Sequence, residues 1–219
     1  MPRIARLVVP GYPHHVTQRG NRRQKTFFNS QDHLAYLELV ASAKEKARCE
    51  IWAYCLMPNH VHFVIVPEHE GSLADLFKEA HRRYTRRINF RENWRGHLWQ
   101  ERFHSFVMDE KHLNATVRYV ELNPVSARLC DKPEEWRWSS IHAHLAGKDD
   151  ELVTVRPMLD RHPNWLDYLG GYQSNDMIEK VRIHTRTGRP LGSEFFIETL
   201  ESLSGRSLKP RKPGRRPIK

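Results

Sequence analysis

The chain has 219 residues, a formal net charge of +10 and 39% apolar residues. That suits one sizeable domain with an appendage or two small domains, and it excludes a mainly disordered chain. The apolar run in MPRIARLVVPGYP is only three residues long, too short for a secretory leader. No window approaches a membrane span, so a cytoplasmic protein is expected. Cys49, Cys55 and Cys130 are scattered without a CxxC pair, which argues against a disulfide framework or a cysteine zinc site.

Residues 13–20, PHHVTQRG, read as a short strand, and GNRRQK follows as a basic turn. Ser30 can cap a helix over about 31–48, with Leu34, Leu37, Val40 and Ala41 on one face. Residues 50–57 and 60–66 are apolar, β-branched and aromatic runs joined by Pro58 and Asn59, the pattern of an antiparallel pair. In GSLADLFKEAHRRYTRRINF, Ser72 and Asp75 suggest a capping box, and Leu73, Phe77, Ala80, Tyr84 and Ile88 form an apolar stripe. Lys78, Arg82, Arg83, Arg86 and Arg87 fall on the rest of that helix.

Residues 100–108 alternate like another strand, and Asp109 can cap a third helix that runs to Asn123 and meets Pro124. Residues 136–145 read as a short closing helix. The composition shifts at AGKDDE, after which the pattern weakens until the helical GSEFFIETLESL, and no internal repeat is present. Strands interleaved with helices around a central hairpin predict an α+β fold, with helices packed on an antiparallel sheet in a ferredoxin-like arrangement. The expected organisation is a core domain over 1–145, a helical extension over 146–204 and a flexible basic tail over 205–219.

The charge is localised. Residues 1–25 carry six Arg or Lys and no acid, and residues 205–219 carry seven and no acid, so residues 1–204 alone hold a net +3. Segments of this kind point to a polyanion, most simply nucleic acid. A membrane surface fits less well, because the tail is broken by Pro and has almost no apolar face.

Two histidines stand in LMPNHVHFVIVP. On a strand, His60, His62, Val64 and Val66 share one face, with the two histidine Cα atoms about 6.5–7 Å apart. Both imidazoles can then reach one cation, but polar positions on a half-exposed strand would produce the same pattern. A histidine-triad nucleotide hydrolase would carry a third alternating histidine, where this chain has Val64. In TVRYVELNPVSARL, Tyr119 and Asn123 lie four apart and share a helix face. A phenol that attacks phosphate has an ordinary pKa of about 10 and needs a nearby cation; a tyrosine at a helix–sheet boundary is the plainer reading.

Taken together and in order, NHVHFVIVP, GHLWQERFHSF and RYVELNPVSARL resemble the single-tyrosine HUH transposases, most of all the REP-associated tyrosine transposases of bacteria. The resemblance covers roughly residues 1–145. It implies a ferredoxin-like nuclease fold, with His60 and His62 as metal ligands, Asn123 as the third, Tyr119 as nucleophile and Mg²⁺ or Mn²⁺ as the ion. It implies single-stranded or hairpin DNA as partner, a bacterial, nucleoid-associated setting, and a monomer or a dimer. Candidate DNA contacts are Arg19, Arg22, Arg23, Arg82, Arg83, Arg86, Arg87 and Arg102, and in the tail Arg211, Lys212, Arg215 and Arg216; His104 is a further one, and Trp94 or Trp99 could stack on unpaired bases. Two other functions stay open at this point: a non-catalytic DNA-binding regulator on the same fold, and an HUH replication initiator or relaxase.

Overall fold

A computed structural model of the protein describes residues 6–171 and 174–209. Arg211, Lys212, Arg215 and Arg216 lie outside the described residues. The first half runs β1 (His14–Arg19), α1 (Ser30–Ala47), β2 (Cys49–Met57), β3 (His60–Pro67), α2 (Ser72–Glu92) and β4 (His104–Val107). The sheet order is β2-β3-β1-β4, antiparallel throughout. This is the ferredoxin-like arrangement expected from the sequence.

Alternation gives the sheet two different faces. Val16, Leu56, Val61, Phe63 and Ile65 pack under α1 and α2. Ala53, Cys55, Met57, Val64 and Phe106 face the other way. A register shift in β2 makes this division possible: Ile51 packs on the first face, yet Ala53, two residues on, packs on the second. Each fully buried large apolar side chain contributes about 1.5–3 kcal/mol.

Local departures from the sequence expectations have identifiable causes. Helix α1 is capped by Asn29, whose side chain accepts from the Asp32 amide, and not by Ser30. Its buried face is Asp32, His33, Tyr36, Val40, Ala43 and Ala47, while Leu34 is 38% exposed. Burial of Asp32 is tolerated because Arg91 of α2 clamps its carboxylate, with the Nη2–Oδ2 contact at 3.0 Å. The expected capping box at α2 does not form; the Ser72 hydroxyl accepts from the His69 amide and donates to the Arg48 carbonyl. The apolar stripe of α2 is buried as read. The strand expected over 100–108 shortens to four residues, because Glu101 takes a left-handed conformation (φ 56°) that interrupts the alternation.

The second face is covered by α3 (Glu110–Glu121), which the short α4 (Asn123–Ser126) follows, and by α5 (Ile141–Ala146), α6 (Arg156–Leu159), α7 (Trp165–Gly170) and α8 (Asn175–Thr187), with α9 (Glu194–Ser204) last in the chain. Asp109 caps α3 as expected. The helix does not continue through Asn123, however: it ends at Glu121, and a separate turn begins at Asn123, with Pro124 in a first-turn position that needs no N–H. Met158, Trp165, Tyr168, Leu169 and Val181 share one core with β2, β3 and α3. The joint is polar at its centre. The Glu121 carboxylate, fully buried, accepts from Ser140 Oγ (2.6 Å), His144 Nδ1 (2.7 Å) and Trp165 Nε1 (2.8 Å).

Both outer strands have main-chain partners. Leu56 N donates to Trp138 O (2.8 Å) and Ser140 N to Tyr54 O (3.0 Å) along β2, so Trp138–Ser140 run as an added rung where a helix over 136–145 was expected; the helix itself starts at Ile141. Leu191 N donates to Val107 O (2.9 Å) and Asp109 N to Leu191 O (3.1 Å) at the end of β4. Among the described residues, no helix is long and apolar enough to cross a membrane.

Candidate active site

His60 and His62 project from β3 onto the face that carries α3, with their ring centroids 4.8 Å apart. Each has its Nδ1 tied. Asn59 donates its side-chain amide to the Arg23 carbonyl (3.0 Å), so the oxygen is the group facing His60 Nδ1 at 2.6 Å. An oxygen can only accept there; His60 therefore carries its proton on Nδ1 and a lone pair on Nε2. His62 Nδ1 lies 2.9 Å from Nε2 of His15, a residue of β1. Burial pushes His60 down to about 4 and His15 to about 3, and holds His62 well below the usual imidazole range; Arg19 beside His60, and His60 beside the other two, push the same way. At neutral pH these are neutral imidazoles, the form that ligates metals.

His62 Nε2 is buried and has no protein partner. An orphaned lone pair of this kind, on a ring whose other nitrogen is tied, fits a metal ligand. Among the described residues no group of three His, Cys, Asp or Glu is arranged to hold an ion. A cation on His60 and His62 would therefore need further ligands of another kind.

The Tyr119 ring stands perpendicular to His62 at 5.7 Å and to His15 at 6.4 Å. Its position follows from the helix period: Leu113, Val117 and Val120 bury the neighbouring face of α3 in the core, which leaves Tyr119 half-buried over the histidines. A cavity of about 550 Å³ opens beside it. It is lined by Thr17, His62, His104 and Tyr119, by Gln100 and Glu101, and by Arg19, Arg23, Arg182, Thr185 and Arg186. Asn123 is buried at the start of α4, and neither it nor His60 is part of that lining.

The other basic candidates are dispersed. Arg22 is exposed and left-handed (φ 53°), next to Arg23 (φ 61°). This loop leaves Gly20 tightly enclosed: a Cβ there would meet the Gln24 carbonyl oxygen at 2.3 Å. Arg82 and Arg102 line a second cavity of about 480 Å³ together with Arg6, Lys78, His81 and Trp99. Arg83, Arg86 and Arg87 are exposed on α2, across the sheet from Tyr119, and Arg83 and Arg82 both approach Glu79. Trp99 is a core residue stacked on His81 (4.6 Å), whereas Trp94 is 42% exposed against Phe28.

Sequence reading missed His15, Thr17, Arg182, Thr185 and Arg186. PHHVTQR did show the alternation that puts His15, Thr17 and Arg19 on one face, but not which face the site occupies. Nothing in the weakly patterned extension marked α8 as a wall of the cavity.

Residues 9–123 match the family described as "Transposase IS200 like". The chain is 22% identical over 127 residues to a REP-associated tyrosine transposase of Escherichia coli (strain K12), a match that spans 58% of this chain and 73% of that one. Among solved structures, it resembles a REP-associated tyrosine transposase bound to a REP hairpin, with a TM-score of 0.59 and 21% identity over 70% of this chain and 92% of the other. At that identity the likeness speaks for the fold.

Proposed function

Since the chain belongs to the IS200-like transposase family, we propose that it is a metal-dependent single-strand DNA endonuclease and strand transferase with Tyr119 as its nucleophile. The observation that carries this reading is the placement of the Tyr119 ring against His62, in a cavity lined by four arginines and one carboxylate, Glu101. Residues 1–145 would supply the nucleophile and the proposed ligands, and residues 146–204 would close the cavity.

His60 and His62 would hold the cation through Nε2, with the Asn123 amide oxygen as third ligand. When bound, Mg²⁺ or Mn²⁺ would supply positive charge that favours the phenolate and polarises the phosphate. Mn²⁺ suits a mixed imidazole and oxygen set best. The Tyr119 oxygen attacks phosphorus, the bond to the 3′-oxygen breaks, and the 5′ end remains on the protein as a phosphotyrosine. One phosphodiester replaces another, so no ATP is required, and a free 3′-OH can attack the phosphotyrosine to rejoin or transfer the strand. Arg19, Arg23, Arg182 and Arg186 would hold the phosphates on either side and compensate their charge. The solved relative is bound to a REP hairpin; a hairpin with a single-stranded flank is the substrate proposed for this chain.

Incubation with such DNA and Mn²⁺, followed by denaturing electrophoresis, tests the reading. A covalent protein–DNA adduct should form with the wild type and be lost in Tyr119→Phe. An adduct that persists in the variant moves the nucleophile elsewhere. Tight binding without any adduct points to a non-catalytic DNA-binding protein.

A further inference from the structure

Thr185 lies in the last turn of α8, far along the chain from the histidines. Its hydroxyl is 2.7 Å from the Val181 carbonyl and 3.3 Å from His15 Nδ1. A threonine hydroxyl has one proton. With that proton on the Val181 oxygen, Oγ1 faces His15 only as an acceptor. His15 must then be protonated at Nδ1, which leaves a lone pair on its Nε2. That lone pair is what His62 Nδ1 meets at 2.9 Å. The two rings are nearly parallel (13°) with centroids 5.1 Å apart, a spacing that an edge-to-edge N–H···N bond produces. His62 therefore carries its proton on Nδ1 and its lone pair on the buried, unpartnered Nε2.

We infer that Thr185 and His15 are positioning residues: through a chain of hydrogen bonds from α8 to β1 to β3, they fix His62 in the one tautomer that can bind a cation through Nε2. This rests on the reading of His62 as a metal ligand. The opposite tautomer would place a proton on Nε2, where a ligand needs a lone pair. His60 reaches the same state by a separate device, the Asn59 amide. The extension thus acts on the site through hydrogen bonding, in addition to walling it. Thr185 is half-buried and Val has nearly its shape, so Thr185→Val removes the acceptor with little change in packing.

The test uses the 219-residue chain with ¹⁵N-labelled histidine. Long-range ¹⁵N–¹H correlation spectra of the metal-free protein report each tautomer directly. In the wild type and in Thr185→Ser, His15 and His62 should both be Nδ1–H. In Thr185→Val, His62 should show a mixture with Nε2–H, and Mn²⁺ affinity by electron paramagnetic resonance should fall about 10- to 100-fold, with circular dichroism unchanged. Wild-type tautomers and wild-type Mn²⁺ affinity in Thr185→Val overturn the inference. If Mn²⁺ broadens neither His60 nor His62 in the wild type, the ligand reading itself fails, and this inference with it. Should Thr185→Val not fold, His15→Leu takes its place: it removes the acceptor for His62 Nδ1 from the β1 side, and unchanged His62 tautomer and Mn²⁺ affinity there overturn the inference equally.

Discussion

At Asn59 a single amide joins two loops and one proposed ligand. Its nitrogen holds the left-handed Arg23 and its oxygen fixes the His60 proton. Asn59→Ala should weaken Mn²⁺ binding about 10- to 100-fold and cost about 1 kcal/mol of stability. Asn59→Asp keeps the acceptor and should retain most of the affinity. Mn²⁺ titration followed by paramagnetic resonance compares the three proteins, and an unchanged affinity in Asn59→Ala would sink the assignment. The shared face of His60 and His62 was legible in the sequence because the strand period fixes it, and the helix period placed Tyr119 beside the buried stripe of α3. The place of His15 was not legible. His14 and His15 are adjacent and point to opposite faces: His14 accepts from the Val9 amide and donates to the Tyr12 carbonyl, a structural role. Only the pairing of β1 with β3, which sets Thr17 opposite His62 and His15 opposite Val64, gives one of the two a place beside the proposed metal ligands. Pairing across more than forty residues is not a local pattern.

Helix α3 is the element on which the proposed chemistry and the architecture meet. Its Tyr119 faces the histidines, and two residues on, Glu121 binds three donors from outside the strands. Glu121→Ala would leave Ser140, His144 and Trp165 buried without their acceptor. A loss of at least about 3 kcal/mol is expected, read from the urea midpoint; a loss below 1 kcal/mol would mean that the donors find other partners. The stripe of α2 was legible because its positions obey the helix period and are apolar. The buried face of α1 was not, because it includes Asp32 and His33. Asp32 is affordable inside only because Arg91 arrives from another helix. The shortened β4 has a similar origin: a single left-handed residue, Glu101, ends an alternation that the residue types alone support.

Across the whole molecule, the cavity is assembled from β1, β3, β4, α3, α8 and the loops that carry Arg23, Gln100 and Glu101, so no single sequence segment contains it. Arg182 and Arg186 place two of its four lining arginines on α8. If each meets a phosphate of single-stranded DNA, Arg182→Ala with Arg186→Ala should reduce the slope of log K against log[salt] by about 1.4. Fluorescence anisotropy over a salt series measures it; an unchanged slope would put the DNA path elsewhere. α8 escaped sequence reading because Val181 is its one fully buried residue, and the residues that reach the cavity, Arg182, Thr185 and Arg186, form no apolar stripe.

The added rungs on the sheet have a consequence for assembly. Trp138–Ser140 run along the β2 margin and Leu191 closes the end of β4. Among the described residues, β2 therefore offers no long row of idle peptide groups, and β4 is only four residues long. A second copy of the chain, or an extended peptide, has little main chain to zip onto. Self-association, where it occurs, is expected to proceed by side chains meeting across surfaces rather than by an added strand.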